Sequence, residues 1–258
     1  MREFSIRAAR SCAAALLLMA VASGLAPATA QQTGCILDNC ADRRGPATSQ
    51  PSDRGYNSDR PRPRGASDPG DFDFYVLSLS WSAGFCATGG AEKNARQCYG
   101  GQRLGFVVHG LWPQYERGFP QNCGEAPWID RELIRSMTDI MPAYGLVLHE
   151  WKTHGTCSGL SGEDYFRLVR RANEHVKIPP RFVRVNDYLT VSPNEIERAF
   201  IDSNPGLADD MVSVTCDRRH LREVRICMNK DLSFRACPDA ERRACRSPEV
   251  VMPPVRGR

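Results

Sequence analysis

The sequence predicts an α+β domain, an antiparallel β-sheet core packed with several α-helices and stabilised by disulfides. Strand-like runs come first, helix-like periodicity fills the middle, and strand-like runs return at the end. The composition, 41% hydrophobic and 25% charged over 258 residues, is that of an ordinary globular chain of one large domain or two small ones. The third observation is cysteine: of 11, only Cys12 lies in a leader-like N-terminus, which leaves an even set of ten. After a leader, an even set reads as disulfides formed in an oxidising compartment rather than as thiol or zinc chemistry.

Taken in order, residues 1–30 read as a signal peptide, with Arg2, Arg7 and Arg10 ahead of an apolar run and Ala28-Thr29-Ala30 as a cleavage site. The apolar run is shorter than the roughly 20 residues a bilayer span needs, so no membrane attachment is expected once it is removed. Residues 31–70 carry Cys35 and Cys40 and then a Pro-, Arg- and Ser-rich stretch with almost nothing apolar, which is expected to be flexible. Removal of the leader takes Arg2, Arg7, Arg10 and Glu3 with it and lowers the formal charge from +4 to +2. A polybasic nucleic-acid binder is thereby excluded, and an anionic substrate would have to be held by local groups.

The folded domain is expected over residues 71–258. From Tyr75 to Trp81 apolar and small polar residues alternate, the period of a strand. Gly84, Gly89, Gly90, Gly100 and Gly101 then mark a loop region in which Cys86 and Cys98 form a local bridge. A short buried strand over residues 106–113 carries His109 into a turn, with Gly110 and Pro113 opposing helix. Residues 126–141 have three-and-four apolar spacing, Trp128 and Ile129 included, and Pro142 ends that helix. Residues 163–176 read as an amphipathic helix with acidic residues at its start and His175 near its end. A shorter helix over 194–201 is opened by Ser192-Pro193, and strands over 211–216 and 221–227 follow, joined through His220, with a turn near Asn229. Both His175 and His220 are expected at the surface.

The chemistry concentrates in His149-Glu150-Trp151-Lys152-Thr153-His154-Gly155-Thr156-Cys157. On a helix, Glu150 and His154 lie about 100° and about 140° round from His149, so the three share one broad face. A zinc-protease helix would place two histidines four apart; the spacing here is five, which spoils that chelate. A Cys157 nucleophile competes with the even cysteine count. Histidines that merely satisfy core hydrogen bonds would leave unexplained the glutamate between them and a third histidine at a strand end. Separate acid and base groups suit the set better, because neutral and protonated imidazole are both abundant near a pKa of about 6.5. Transphosphorylation of RNA is one such reaction.

The runs His109-Gly110-Leu111-Trp112-Pro113 and His149 to Cys157, in that order, resemble the two catalytic segments of the ribonuclease T2 family, secreted endoribonucleases of α+β fold. The resemblance spans residues 71 to about 246. It implies that His154 is the base towards the ribose 2′-OH, His109 the acid towards the leaving oxygen, and Glu150 a partner in the transition state. His149 would hold phosphate, and Trp112, with Gln114 or Tyr115, would flank a base, although core packing suits Trp112 equally well. It further implies single-stranded RNA as substrate, low base specificity, 2′,3′-cyclic phosphates and then 3′-phosphates as products, no metal or other cofactor, a monomer, and a secreted or periplasmic location.

Bridges Cys123–Cys157, Cys216–Cys245 and Cys227–Cys237 fit the same picture, with Cys35–Cys40 a local guess. One position departs from the family, which usually carries lysine immediately before the second-segment histidine. Here that position is Thr153, and the lysine moves to Lys152 at the edge of the helical face. A nearby arginine, or the reach of Lys152 as a substrate-binding side chain, is expected to supply the missing charge. The competing expectation is a noncatalytic or weakly active, toxin-like RNA-binding relative.

Overall fold

The computed structural model describes residues 68–237 and 244–255, which fall within one compact unit, Asn57–Arg258. The expected signal peptide, the stretch up to residue 67 that was expected to be flexible, and the Cys35–Cys40 pair lie outside the described residues. Gly70, expected to close the flexible segment, already belongs to the folded body, where its backbone N–H donates to Cys157 O at 3.0 Å. No helix among the described residues is long and apolar enough to cross a membrane.

Among the described residues a six-stranded sheet is the organising element: β1 (Phe74–Trp81), β2 (Phe106–Gln114), β3 (Leu189–Val191), β4 (Val212–Asp217), β5 (His220–Met228) and β6 (Val250–Met252). The order is β2-β1-β5-β6-β3 with β4 also on β5, and the pairs are antiparallel except β5 with β6. β2 is therefore an edge strand of the central trio. That position explains why Pro113 extends the strand instead of turning it, since an edge can lack one donor. His109, expected at a turn, sits inside the strand.

Helices cover the other expectations with three corrections. The glycine-marked region after β1 contains short helices α1 (Ser82–Phe85), α2 (Ala91–Lys93) and α3 (Ala95–Tyr99), where a loop was expected. The helix expected over 126–141 shrinks to α4 (Arg131–Ser136), because Asp130 caps it with a side-chain bond to Glu132 N. Ahead of that cap Trp128 stands 79% exposed, not inward. The third correction concerns two short strands, β3 and β6, and one helix, α7 (Pro180–Val183), which have too few residues for a periodicity signal.

Of the remaining helices, α6 (Gly162–His175) stands where periodicity put it, α8 (Pro193–Ser203) follows its Ser192-Pro193 start, and α5 (Tyr144–Thr153) makes the run from His149 helical as far as Thr153. Ser161 caps α6, and Ser192 with Glu195 forms a full capping box on α8.

One face of the sheet is the core. Leu77, Leu79, Leu111, Val224 and Ile226 pack there against Trp151, Tyr165, Phe166 and Phe200 from the helices. The Tyr165 hydroxyl donates to Leu111 O at 3.0 Å and ties α6 to β2. Disulfides join Cys86 to Cys98, Cys123 to Cys157, Cys216 to Cys245 and Cys227 to Cys237, as expected. Cys157 is thus bonded and carries no nucleophilic thiol. Of the two lesser histidines, His175 is exposed, whereas His220 begins β5 half-buried.

Candidate active site

The opposite face of the central strands carries the chemistry, and the register shows how. Ser78 of β1 faces Gly110 on one side and Arg225 on the other, while Ser80 faces Val107 and Glu223. Between Gly110 and Val108 the pairing with β1 shifts by one, so His109 is the extra residue of a β-bulge. Strict alternation with Gly110 would have turned His109 into the core. The bulge puts it on the site face instead, a known use of such irregularities.

Two small serines on β1 leave room for a contact across that strand. His109 Nδ1 lies 2.6 Å from Glu223 Oε1 on β5, two strands away. Arg225 donates through Nε and Nη2 to the other carboxylate oxygen, Glu223 Oε2, at 3.0 and 2.7 Å. On its other edge the His109 ring presents Nε2 to Glu150 Oε1 at 3.6 Å. Trp112 donates from Nε1 to Glu150 Oε2 at 2.7 Å. Gly110 is glycine because α5 crosses directly above: a Cβ there would collide with the Glu150 carboxylate and the Trp112 indole.

α5 delivers its residues unequally. Glu150 is 1% exposed and His154 9%, while His149 and Lys152 are exposed. His154 ends the helix in a nonhelical conformation, and its Nδ1 is buried without a hydrogen-bond partner. Its ring lies 5.5 Å from that of Trp112, which in turn lies 5.2 Å from His109. The three rings and Glu150 form one cluster.

Burial and charge set the protonation of each group. Desolvation raises the Glu150 carboxyl to about 7, against the opposing pull of His109 and the Trp112 hydrogen bond. Desolvation also lowers His154 to about 4, helped by the nearby His149 and His109. For His109 burial acts downward, but the hydrogen bond and charge of Glu223, together with Glu150, outweigh it and raise the pKa above 6.5. Glu223 is the counterpart: burial pushes it up, yet His109 and Arg225 together hold it at about 2. The cluster therefore pairs a His154 held neutral with a His109 biased towards its protonated form, one proton acceptor and one donor.

Cavities flank the cluster. One of about 230 Å³ is lined by Trp112, Gln114, Tyr115, Phe119, His154 and Arg225. A wider cleft of about 930 Å³ includes His109, His149, Tyr144 and Glu223 in its lining. Trp112 is half-buried, bonding Glu150 within the protein while its ring faces the smaller cavity. Arg225 lies over that ring, 5.1 Å from its centroid. Lys152 lines neither cavity, and Thr153 places its hydroxyl 3.5 Å from His149 Nδ1. Among the described residues no group of three or more His, Cys, Asp or Glu is arranged to hold a metal ion.

Glu223 and Arg225 were not singled out from the sequence. The signal was present: they alternate with Val224 and Ile226, so a central strand carries two charges on one face, which is uncommon without a partner.

Residues 72–237 match the family model of the ribonuclease T2 family. A ribonuclease of Aeromonas hydrophila is 32% identical over 209 residues, covering 73% of this chain and 89% of that protein. Ribonuclease I of Escherichia coli strain K12 is 27% identical over 214 residues, covering 64% and 78%. Among solved structures, RNase NT in complex with 5′-AMP aligns with a TM-score of 0.53 at 26% identity, covering 71% of this chain and 99% of that one. An RNase-related protein from Calystegia sepium aligns with a TM-score of 0.57 at 21% identity, a likeness of fold.

Proposed function

The chain belongs to the ribonuclease T2 family, and on that premise we propose that it cleaves single-stranded RNA by metal-independent acid–base transphosphorylation. The observation that carries this reading is the unlike setting of two imidazoles in one cluster: His109 bonded to the Glu223 carboxylate, which favours its protonated form, and His154 buried with Nδ1 unpartnered, which favours its neutral form. His154 takes the proton of the ribose 2′-OH, and the 2′-oxygen forms its bond to phosphorus. The bond from phosphorus to the 5′-oxygen breaks as His109 gives that oxygen its proton. The product is a 2′,3′-cyclic phosphate, which water opens more slowly to a 3′-phosphate.

Glu150 stands beside His109 and Trp112, where its carboxyl steadies the charge that develops in the transition state. His149, exposed in the wider cleft, meets the phosphate. The smaller cavity takes a base against Trp112, Gln114 and Tyr115. Aromatic stacking tolerates every base, which supports low specificity. Lys152, exposed and outside both cavities, contributes at the periphery. The disulfides support an oxidising compartment, secreted or periplasmic, and the family resemblance supports a monomer.

Product-end mapping on a defined RNA, with and without chelator, tests the reading. Cyclic-phosphate ends that persist in chelator are expected. RNA that is bound but left intact would favour the noncatalytic alternative, which the absence of lysine at position 153 keeps in view.

A further inference from the structure

We infer that Glu223, anchored by Arg225, is a positioning residue for the general acid, fixing the His109 ring so that Nε2 carries the transferable proton towards the leaving oxygen. The inference rests on the acid role proposed above for His109. Its basis is geometric. An imidazole whose Nδ1–H is committed to a carboxylate must use Nε2 for chemistry, and the bond sets both the tautomer and the tilt of the ring. Here the Nδ1 to Glu223 contact is 2.6 Å, the carboxylate is 5% exposed, and Nε2 points to the side where Glu150 stands.

Arg225 does two things in this arrangement. It occupies the second oxygen of Glu223, so the carboxylate cannot rotate away from His109. It also keeps that carboxylate ionised in a buried place, where an unpaired charge would be costly. The bulge at His109 and the small side chains of Ser78 and Ser80 exist in the same register, and together they let an edge-strand histidine reach a carboxylate two strands away.

In the reaction Glu223 neither gains nor loses a proton. His109 gives its Nε2 proton to the 5′-oxygen as the phosphorus–oxygen bond breaks. Glu223 then faces a neutral imidazole whose Nδ1–H it still accepts. The charged and titratable groups around the ring are Glu223 and Arg225 on β5, Glu150 and His149 on α5, and His154 at the end of that helix. Lys93, Arg96, Asp217 and Arg222 line the cleft on which it opens.

The test compares two substrates with the full-length enzyme: a dinucleoside monophosphate, whose alkoxide leaving group needs an acid, and uridine 3′-(4-nitrophenyl phosphate), whose phenolate does not. Glu223→Gln is expected to lose on the order of 10²-fold in kcat on the dinucleotide and almost nothing on the aryl ester. The alkaline limb of its kcat/KM profile should move down by about one to three pH units, with Glu223→Asp recovering part of both effects. Equal losses on the two substrates, or an unmoved limb, would mean a merely structural role and overturn the inference.

His109→Ala separates the two ideas. If it spares the aryl ester while Glu223→Gln does not, only the positioning role falls. If His109→Ala loses both substrates, the acid assignment falls and the inference with it. Should Glu223→Gln fail to fold, Arg225→Met is read instead: removing that cation should move the His109 limb upward, and an unmoved limb would again overturn the coupling.

Discussion

Thr153 stands one helical turn beyond His149, its hydroxyl 3.5 Å from the imidazole, at the position where the family resemblance leads one to expect a lysine. The site nonetheless has a cation, since Arg225 lines the smaller cavity beside His154. Thr153→Lys is therefore expected to raise kcat on RNA by a few-fold, as about 1 kcal/mol of added charge stabilisation would. Lys152→Ala should change it by less than about threefold, against roughly 10²–10⁴-fold for His154→Ala. Steady-state kinetics on one RNA decides it, and a Lys152→Ala loss as deep as that of His154→Ala would make the exposed lysine a member of the site. At this scale the sequence was legible where chemistry is dense in the chain, at His109 and at His149 to His154. It was not legible at Glu223, because a lone glutamate in a strand acquires its meaning only from the residue that stands opposite two strands away.

α5 and β2 make the site by crossing closely, and the crossing depends on Gly110 having no side chain. Gly110→Ala should displace Glu150 and Trp112 together and cost about 1–3 kcal/mol, the usual cost of overpacking, with a large loss of kcat. Urea denaturation and kinetics on the same sample would show it, and a variant with native stability and turnover would disprove the close approach. Cys123–Cys157 fixes the end of the same segment: it closes 34 residues of sequence and lies three residues beyond His154. Elements with strong periodicity, such as α6 with Tyr165, Phe166 and Val169 inward, were legible because burial and spacing agree. The helix expected over 126–141 was not. Its apolar residues do fall at three-and-four spacing, but Asp130 N-caps partway along the run, and a local cap overrides a pattern that only tertiary packing could have rewarded. The bulge at His109 was invisible for a related reason, since pairing register is a property of two strands and not of one.

For the molecule as a whole, stability against pH follows from buried groups of opposite sign. Glu150 is raised from 4.5 to about 7, so its contribution is fully present below 4.5 and is lost as pH rises through about 7. His154 is lowered from 6.5 to about 4, so its contribution is present above 6.5 and is lost as pH falls through about 4. At about 1.4 kcal/mol per pH unit, each displacement is worth about 3 kcal/mol, and the two windows overlap. Between about pH 4.5 and 6.5 one gain offsets the other, and the folded chain should keep nearly constant stability. Below 4.5 the Glu223 contribution goes, because its carboxyl is held at about 2 in the folded state, and acid unfolding should begin there. Separating the pair exposes each half. Glu150→Gln leaves His154 alone, so stability should fall by about 3 kcal/mol from pH 6.5 to 4; His154→Phe leaves Glu150 alone, so stability should rise by a similar amount from pH 7 to 4.5. Urea midpoints at half-unit pH steps, with the disulfides intact, measure both slopes. Two variants with the same flat profile as the parent chain would show that neither buried group is coupled to folding in this way. Opposite slopes would show that the proton acceptor and the buried carboxyl are held in a destabilised state that the rest of the fold sustains.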